Sequence, residues 1–414
     1  MMYNDKSPRI SEKRTGFCFF SRGTSMIKKW VILFFVLLFC FSCASSPKPA
    51  PVEKATADFL LMGFRSPGEQ KELTEELLAK KKKVYSSLKK LSSRHNVVIV
   101  YDASGSMTTK LPGMNLKRYE AAYEGLKKIG NLFSKDDKVW LIVFGSRKPF
   151  GIIQNGDLYR KDYMRAVAAG NDVEAVFRSQ DAGFDEKEFL TSIHYLKSEK
   201  AYIGDTPIGY SILKAQEILK GFPNAKVILI SDGEETGPLL AQNVSKSKAW
   251  EQRIKEKYPH LDKITISAEK AIDRLVGEGV SFTPIIYGVT DQKTGRSADE
   301  RTVQNIRAFY QKMASASGSI YLEAVTPLEL LNAFIDAEMM SIAYTLSSAE
   351  DDQKSEPITK GKIGIPITIE EGRYRLRTNT EQPFTAEVEA KPGEKNIYVF
   401  DENEEGNLKI VRVH

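Results

Sequence analysis

Cysteine is scarce and poorly placed for cross-linking. The 414-residue chain has three, Cys18, Cys40 and Cys43, all ahead of residue 44. The remainder can form no disulfide and must depend on a hydrophobic core, which a domain of this size can build unaided. Histidine is equally sparse. The four residues His95, His194, His260 and His414 are scattered, and none belongs to an HExxH pair, so the zinc-hydrolase class is set aside. No Walker loop or catalytic triad is present either, and an enzyme is not expected. The formal net charge is +6, but residues 1–42 carry seven Lys and Arg against two Asp and Glu. The body of the chain is therefore nearly neutral, which excludes an electrostatic case for nucleic acid.

What is present begins with an export signal. Lys28 and Lys29 precede an apolar run, Trp30 to Phe41, that is shorter than the roughly 18–20 residues a spanning helix needs. It suits a signal peptide. Ser42-Cys43-Ala44-Ser45-Ser46 resembles a bacterial lipoprotein processing site, although Cys40 replaces the usual Leu and Phe41 a small residue. The resemblance implies lipidation at Cys43 and a membrane tether in the bacterial cell envelope, in the outer membrane and periplasm or at the cell surface. The alternative is an uncleaved, short signal anchor. Met26 is a candidate for the true start.

The organisation that follows has four parts: a signal segment 1–43, a tether and amphipathic helix 44–92, a central domain 93–340, and a module 341–414. Residues 44–56 are rich in Ser, Pro and Ala, as a flexible tether requires. The spacing of Leu73, Leu77, Val84, Leu88 and Leu91 predicts a helix over 69–91. Its run Lys80 to Lys83 is either a solvated face or a contact for anionic lipid. In the central domain, buried strands are expected at 97–102, 138–146, 226–234, 281–289 and 319–324. Helices are expected at 118–133, 206–219, 300–316 and 327–340. This alternation predicts a doubly wound α/β fold with a mostly parallel sheet flanked by helices. Five short strand candidates at 363–369, 373–378, 384–390, 396–401 and 408–413, separated by EEG, KPGE and NEEGN turns, predict a small C-terminal β-sandwich. Lys360 to Phe400 resembles modules of the transthyretin-like or PEGA type.

The chemistry sits at the ends of the central strands. Asp102-Ala103-Ser104-Gly105-Ser106-Met107 directly follows the first buried strand and offers one carboxylate and two hydroxyls at two-residue spacing. Alone, such a string more often turns the chain and caps a helix. Two later segments change its meaning: Gly204-Asp205-Thr206-Pro207-Ile208-Gly209, and Ser231-Asp232-Gly233-Glu234-Glu235 at the end of another strand. In this order the three segments resemble the metal-ion-dependent adhesion site of von Willebrand factor A (vWA) domains, over about residues 96–340. The resemblance implies that Ser104, Ser106 and Thr206 supply hydroxyl ligands to Mg²⁺ or Mn²⁺. Asp102 and Asp232 would act mainly through water or by orienting the serines. A shell of neutral hydroxyls leaves the ion electron-poor, so it seeks an Asp or Glu carboxylate from a protein partner.

Residues 155–202 look like an insertion in a compact vWA domain. Asp181, Phe184 and Asp185 within it, with Glu234 beside the motif, are the candidates for ligand specificity; the competing reading is a structural helical cover. Two functions follow for the whole chain. One is an envelope lipoprotein that binds a protein ligand through its cation, and the other is a structural scaffold of an envelope complex whose metal site is not used.

Overall fold

The computed structural model describes residues 55–64, 73–92, 95–111, 114–146, 172–179, 183–202, 204–235, 266–289, 300–349 and 356–413. Cys43, Asp181 and the apolar segment 26–43 lie outside them. Among the described residues, no helix is long and apolar enough to cross a membrane.

Six strands form the central sheet: β2 (Asn96–Asp102), β3 (Lys138–Phe144), β4 (Val173–Arg178), β5 (Ala225–Ser231), β6 (Ser281–Tyr287) and β7 (Leu322–Ala324). Their order is β4-β3-β2-β5-β6-β7, parallel throughout except that β4 runs antiparallel to β3. β2 and β5 are buried at every position, which is why they read as unbroken apolar runs rather than alternating ones. Successive residues of β2 serve opposite faces. Val97, Ile99 and Tyr101 join one core layer, and Val98 and Val100 join the other. The first layer is closed by α1 (Glu75–Lys90), α2 (Arg118–Gly130), α3 (Glu186–Ile193) and α7 (Pro327–Met340); the second by α4 (Ile208–Leu219), α5 (Ala268–Gly277) and α6 (Glu300–Ala316). The doubly wound α/β arrangement is as expected.

Local chemistry sets several helix starts. Thr326 and Glu329 form a capping box at α7, with Pro327 at the first helical position. Thr74 caps α1 by accepting from the Leu77 amide at 3.2 Å. In the lysine run on α1, Lys81 is buried and pairs with Asp336 at 2.6 Å and with Asn332 Oδ1 at 2.6 Å. That position is therefore neither a solvated face nor a lipid contact: it fastens α1 to α7.

The expected β-sandwich is present, but it draws on both ends of the chain. One sheet has the order β10-β1-β13-β14 and the other β12-β11-β8-β9. The strands are β1 (Thr56–Met62), β8 (Ala343–Ser348), β9 (Thr359–Lys362), β10 (Ile367–Glu370), β11 (Gly372–Thr378), β12 (Thr385–Ala390), β13 (Asn396–Glu402) and β14 (Leu408–Arg412). β1 lies in the stretch read from sequence as tether and helix. It pairs antiparallel with β10 and parallel with β13. Its inward residues Ala57, Phe59 and Leu61 fill the core, with Phe59 stacked on Tyr398 at 5.5 Å between ring centres.

β4 corrects the reading of 155–202. Val173–Arg178 is the antiparallel edge of the central sheet, so this part of the segment belongs to the domain framework. Because β4 runs antiparallel, it carries the chain from the carboxyl ends of the strands back to their amino ends. α3 then starts at that lower edge.

Candidate functional site

The chain runs outward from β2 to β3 and β4, then returns to place β5 on the other side of β2. The order therefore reverses between β2 and β5, and the carboxyl ends of these two strands open a crevice of the kind that binds ligands. Asp102 closes β2 and Asp232 follows β5, so both carboxylates arrive there.

A chain of hydrogen bonds joins the two. Asp102 Oδ1 accepts from the Ser104 amide at 2.7 Å, and Asp102 Oδ2 from the Ser231 hydroxyl at 2.5 Å. The Ser104 and Ser106 hydroxyls lie 2.9 Å apart. Ser106 Oγ donates to Asp232 Oδ1 at 2.7 Å, and Arg118 donates to Asp232 Oδ2 at 2.6 Å. Thr206 is buried, and its hydroxyl borders the Asp232-Gly233 turn: a Cβ built on Gly233 would stand 4.0 Å from Thr206 Oγ1. The five residues implied by the motif therefore gather at one crevice.

The loops that carry them are tightly held. Residues Gly105–Thr108 form a single 3-10 turn, tied by Thr108 Oγ1 to the Gly105 carbonyl at 2.8 Å and anchored by the fully buried Met107. Gly105 N donates to the Gly204 carbonyl at 3.1 Å, and Gly204 N to the Gly145 carbonyl at 2.9 Å. Gly145 has φ +68°, and a Cβ there would stand 2.7 Å from the Asp205 carbonyl and 2.9 Å from Ser104 Cα. Glycine is required because all three loops converge on that point. Tyr310 donates to the Gly233 carbonyl at 3.2 Å, closing the site from α6.

Burial, together with the neighbouring Asp232 carboxylate, pushes the Asp102 carboxyl up to about 7, against hydrogen bonds from Ser104 and Ser231. A second negative charge is thus costly in this buried place, and the Arg118 guanidinium stands beside Asp232. Two carboxylates and three hydroxyls form an all-oxygen set. Among the described residues there is no group of three His, Cys, Asp or Glu able to hold a metal. Such a set fits a hard divalent cation such as Mg²⁺ or Mn²⁺ better than a soft one.

Two of the proposed specificity residues, Phe184 and Asp185, are not gathered here. Phe184 is buried at the far edge of the sheet, 5.3 Å from Phe133 and 5.6 Å from Phe177 and from Phe189 between ring centres. Asp185 caps α3 by accepting from the Glu188 amide at 2.8 Å. The reason is the antiparallel β4, which delivers this segment to the edge opposite the crevice. Glu234 is exposed at the rim of the crevice. Its neighbour Glu235 instead turns inward, accepting from Gly209 N at 2.8 Å and Ala268 N at 2.9 Å, and so caps both α4 and α5.

Sequence reasoning missed Ser231, Gly145 and Arg118, and it placed Glu235 beside the motif without its role as a helix cap. Ser231 carried a signal, since it immediately precedes Asp232. Arg118 carried none: it opens an amphipathic helix and lies 114 residues from its partner.

The sequence matches no protein-family model and no curated protein. Similar solved structures include a von Willebrand factor type A protein from Catenulispora acidiphila, at 14% identity over 72% of this chain and 66% of that one, with a TM-score of 0.38. Another is proximal thread matrix protein 1 from the mussel byssus with a zinc-occupied MIDAS motif, at 13% identity over 61% and 49%, TM-score 0.34. A third is manganese-loaded TRAP protein from Plasmodium vivax, at 12% identity over 73% and 96%, TM-score 0.32. The chain thus spans less than two thirds of the first of these and about half of the second. The chemistry of the crevice stands on its own geometry rather than on likeness at this level.

Proposed function

We propose that this chain captures a protein partner through a divalent cation, Mg²⁺ or Mn²⁺, held by Ser104, Ser106 and Thr206 and supported by Asp102 and Asp232. The observation that carries the reading is the continuous link from Asp102 through Ser104 and Ser106 to Asp232, at the point where the strand order reverses. Hydroxyls in direct contact would add no negative charge, and Arg118 offsets part of the charge on Asp232. A bound cation would keep a net positive character and attract a carboxylate from the partner. The residues bind and orient, and no catalytic step is assigned to them.

The same reading takes the chain to the bacterial cell envelope, with Cys43 acylated as its membrane anchor and the sandwich as a spacer or docking module. It places adhesion or assembly, rather than turnover, as the task. Accumulation of a heavier precursor when lipoprotein signal peptidase is blocked would support the anchor; an unchanged mass would remove it.

Calorimetric titration of Mg²⁺ and Mn²⁺ into the full chain tests the site. Saturable binding that is lost in Asp102→Ala and in Thr206→Ala, with both variants folded, supports metal-dependent capture. Absence of binding to the unmodified chain returns the crevice to the alternative reading, a scaffold that uses no metal.

A further inference from the structure

At the opposite edge of the central sheet, where the strands begin, a cleft of about 340 Å³ lies in the seam with the β-sandwich. This is the liquid volume of roughly eleven waters, room for a small molecule and not for a chain. Its basic lining consists of His95, Lys226 and Lys362, with no Asp or Glu. We propose that this cleft binds a small free oxyanion: a phosphate, phosphate monoester or carboxylate.

The floor is built rather than accidental. Lys226 and His95 are both buried, at 4% and 5% exposure. Lys226 Nζ donates to Glu338 Oε2 at 3.1 Å and lies 3.4 Å from His95 Nδ1. Tyr85 donates to the same carboxylate oxygen at 3.2 Å. Glu338 is fully buried behind the lysine and does not line the cleft. It balances Lys226 and holds the ammonium in place, which is what a buried cation needs to persist. The second ammonium, Lys362, has no partner among the described residues and supplies the uncompensated charge.

The neutral lining groups complete the chemistry. The side-chain amides of Asn224 and Asn379 and the hydroxyl of Ser281 also lack partners among the described residues. They can donate to an anion whose oxygens only accept. Asn224, Lys226 and Ser281 come from the α/β domain, whereas Lys362 and Asn379 come from the sandwich. An anion bound between them would tie the two parts together.

The test is titration of inorganic phosphate into the full chain, stripped of metal on a solid chelating resin, read by calorimetry and by melting temperature. Saturable binding with a rise in melting temperature is expected. Lys362→Gln should weaken binding at least tenfold while melting like the unmodified chain without phosphate, because its ammonium has no partner to lose. Asn379→Ala should weaken binding less, and Asp102→Ala should leave it unchanged, which separates this cleft from the metal site. Acetate in place of phosphate tells a carboxylate source from a phosphate one. No saturable binding of either anion, or equal binding by Lys362→Gln, would overturn the proposal.

Discussion

Arg118 grips one oxygen of Asp232 at 2.6 Å while Ser106 holds the other at 2.7 Å. Asp232 is thereby fixed at both ends, and a permanent positive charge stands beside the proposed cation site. Replacing it with the neutral Arg118→Gln should tighten Mg²⁺ binding about tenfold, since a nearby unit charge is worth more than about 1.4 kcal/mol even in a surface-like dielectric. The same variant should be less stable without metal, because Asp102 and Asp232 would face one another unrelieved. Calorimetry with matched melting curves reads both effects, and equal Mg²⁺ affinity would show that Arg118 does not tune the site.

The hydroxyls are separable from the fold. Ser106→Ala removes one oxygen and should lower Mg²⁺ affinity by about tenfold or more while costing about 1 kcal/mol in stability, the usual value of one hydrogen bond. Ser106→Thr keeps the oxygen and should recover most of the affinity. A Ser106→Ala chain that binds as tightly as the original would remove this hydroxyl from the ligand set.

Gly145 gives a purely steric test. Gly145→Ala drives a methyl against the Asp205 carbonyl and Ser104 at positive φ, whereas Gly221, at φ +85°, has open space around it. Gly221→Ala should cost about 1 kcal/mol from the backbone alone. Gly145→Ala should cost clearly more, and it should weaken metal binding because it displaces the loop that carries Ser104. Chemical denaturation of the pair decides, and equal costs would mean that the three loops are not locked together there.

Acid stability depends on the buried cluster at the far edge. Burial would raise the Glu338 carboxyl, but Lys226, His95 and Lys89 together hold it down at about 2. A depressed carboxyl contributes stability above its unfolded value and loses it as pH falls through the folded one. Between about pH 4.5 and 2 the chain should therefore lose about 3 kcal/mol from this group. Glu338→Gln should flatten that limb of the pH–stability curve while lowering stability at neutral pH, since it leaves Lys226 buried without its counter-charge. Retention of the full acid limb in the variant would place the sensitivity elsewhere.

Asp172 works in the opposite sense. Burial pushes its carboxyl up to about 7, with Asp205 adding to the rise and Lys214 opposing it. A raised carboxyl favours the folded state when protonated, so its contribution is full below about pH 4 and is lost progressively as pH rises to about 7. Asp172→Asn should make stability between about pH 4 and 7 less dependent on pH. An unchanged slope in urea titrations across that range would contradict the assignment.

Much of this architecture was legible because it is encoded in contiguous residues. The run Val97 to Asp102 announces a strand covered on both faces, and Thr326-Pro327 with Glu329 announces a helix start. Asp102, Ser104 and Ser106 share one short loop, so their convergence follows from local spacing alone. The sandwich strands were visible wherever alternation and turn residues flanked them. Helix α7 was found to its ends, whereas β1 was missed, because Thr56–Met62 follows a Pro- and Ser-rich stretch and finds its partners more than 300 positions away.

The placement of Phe184 and Asp185 shows the limit most clearly. Both were read as candidates for ligand specificity, but an antiparallel edge strand sends them to the other end of the sheet. Periodicity does not reveal strand direction, because side chains alternate in the same way in parallel and antiparallel strands. The same holds for the Arg118–Asp232 pair, for Glu235 capping two helices, and for Lys226 facing Glu338. Each joins residues far apart in the chain. Local patterning thus announced the strands and the metal-binding loop, since both arise from neighbouring residues. Strand order and helix packing decided which distant charge stands beside which, because an electrostatic partner is chosen by distance in space and not along the chain.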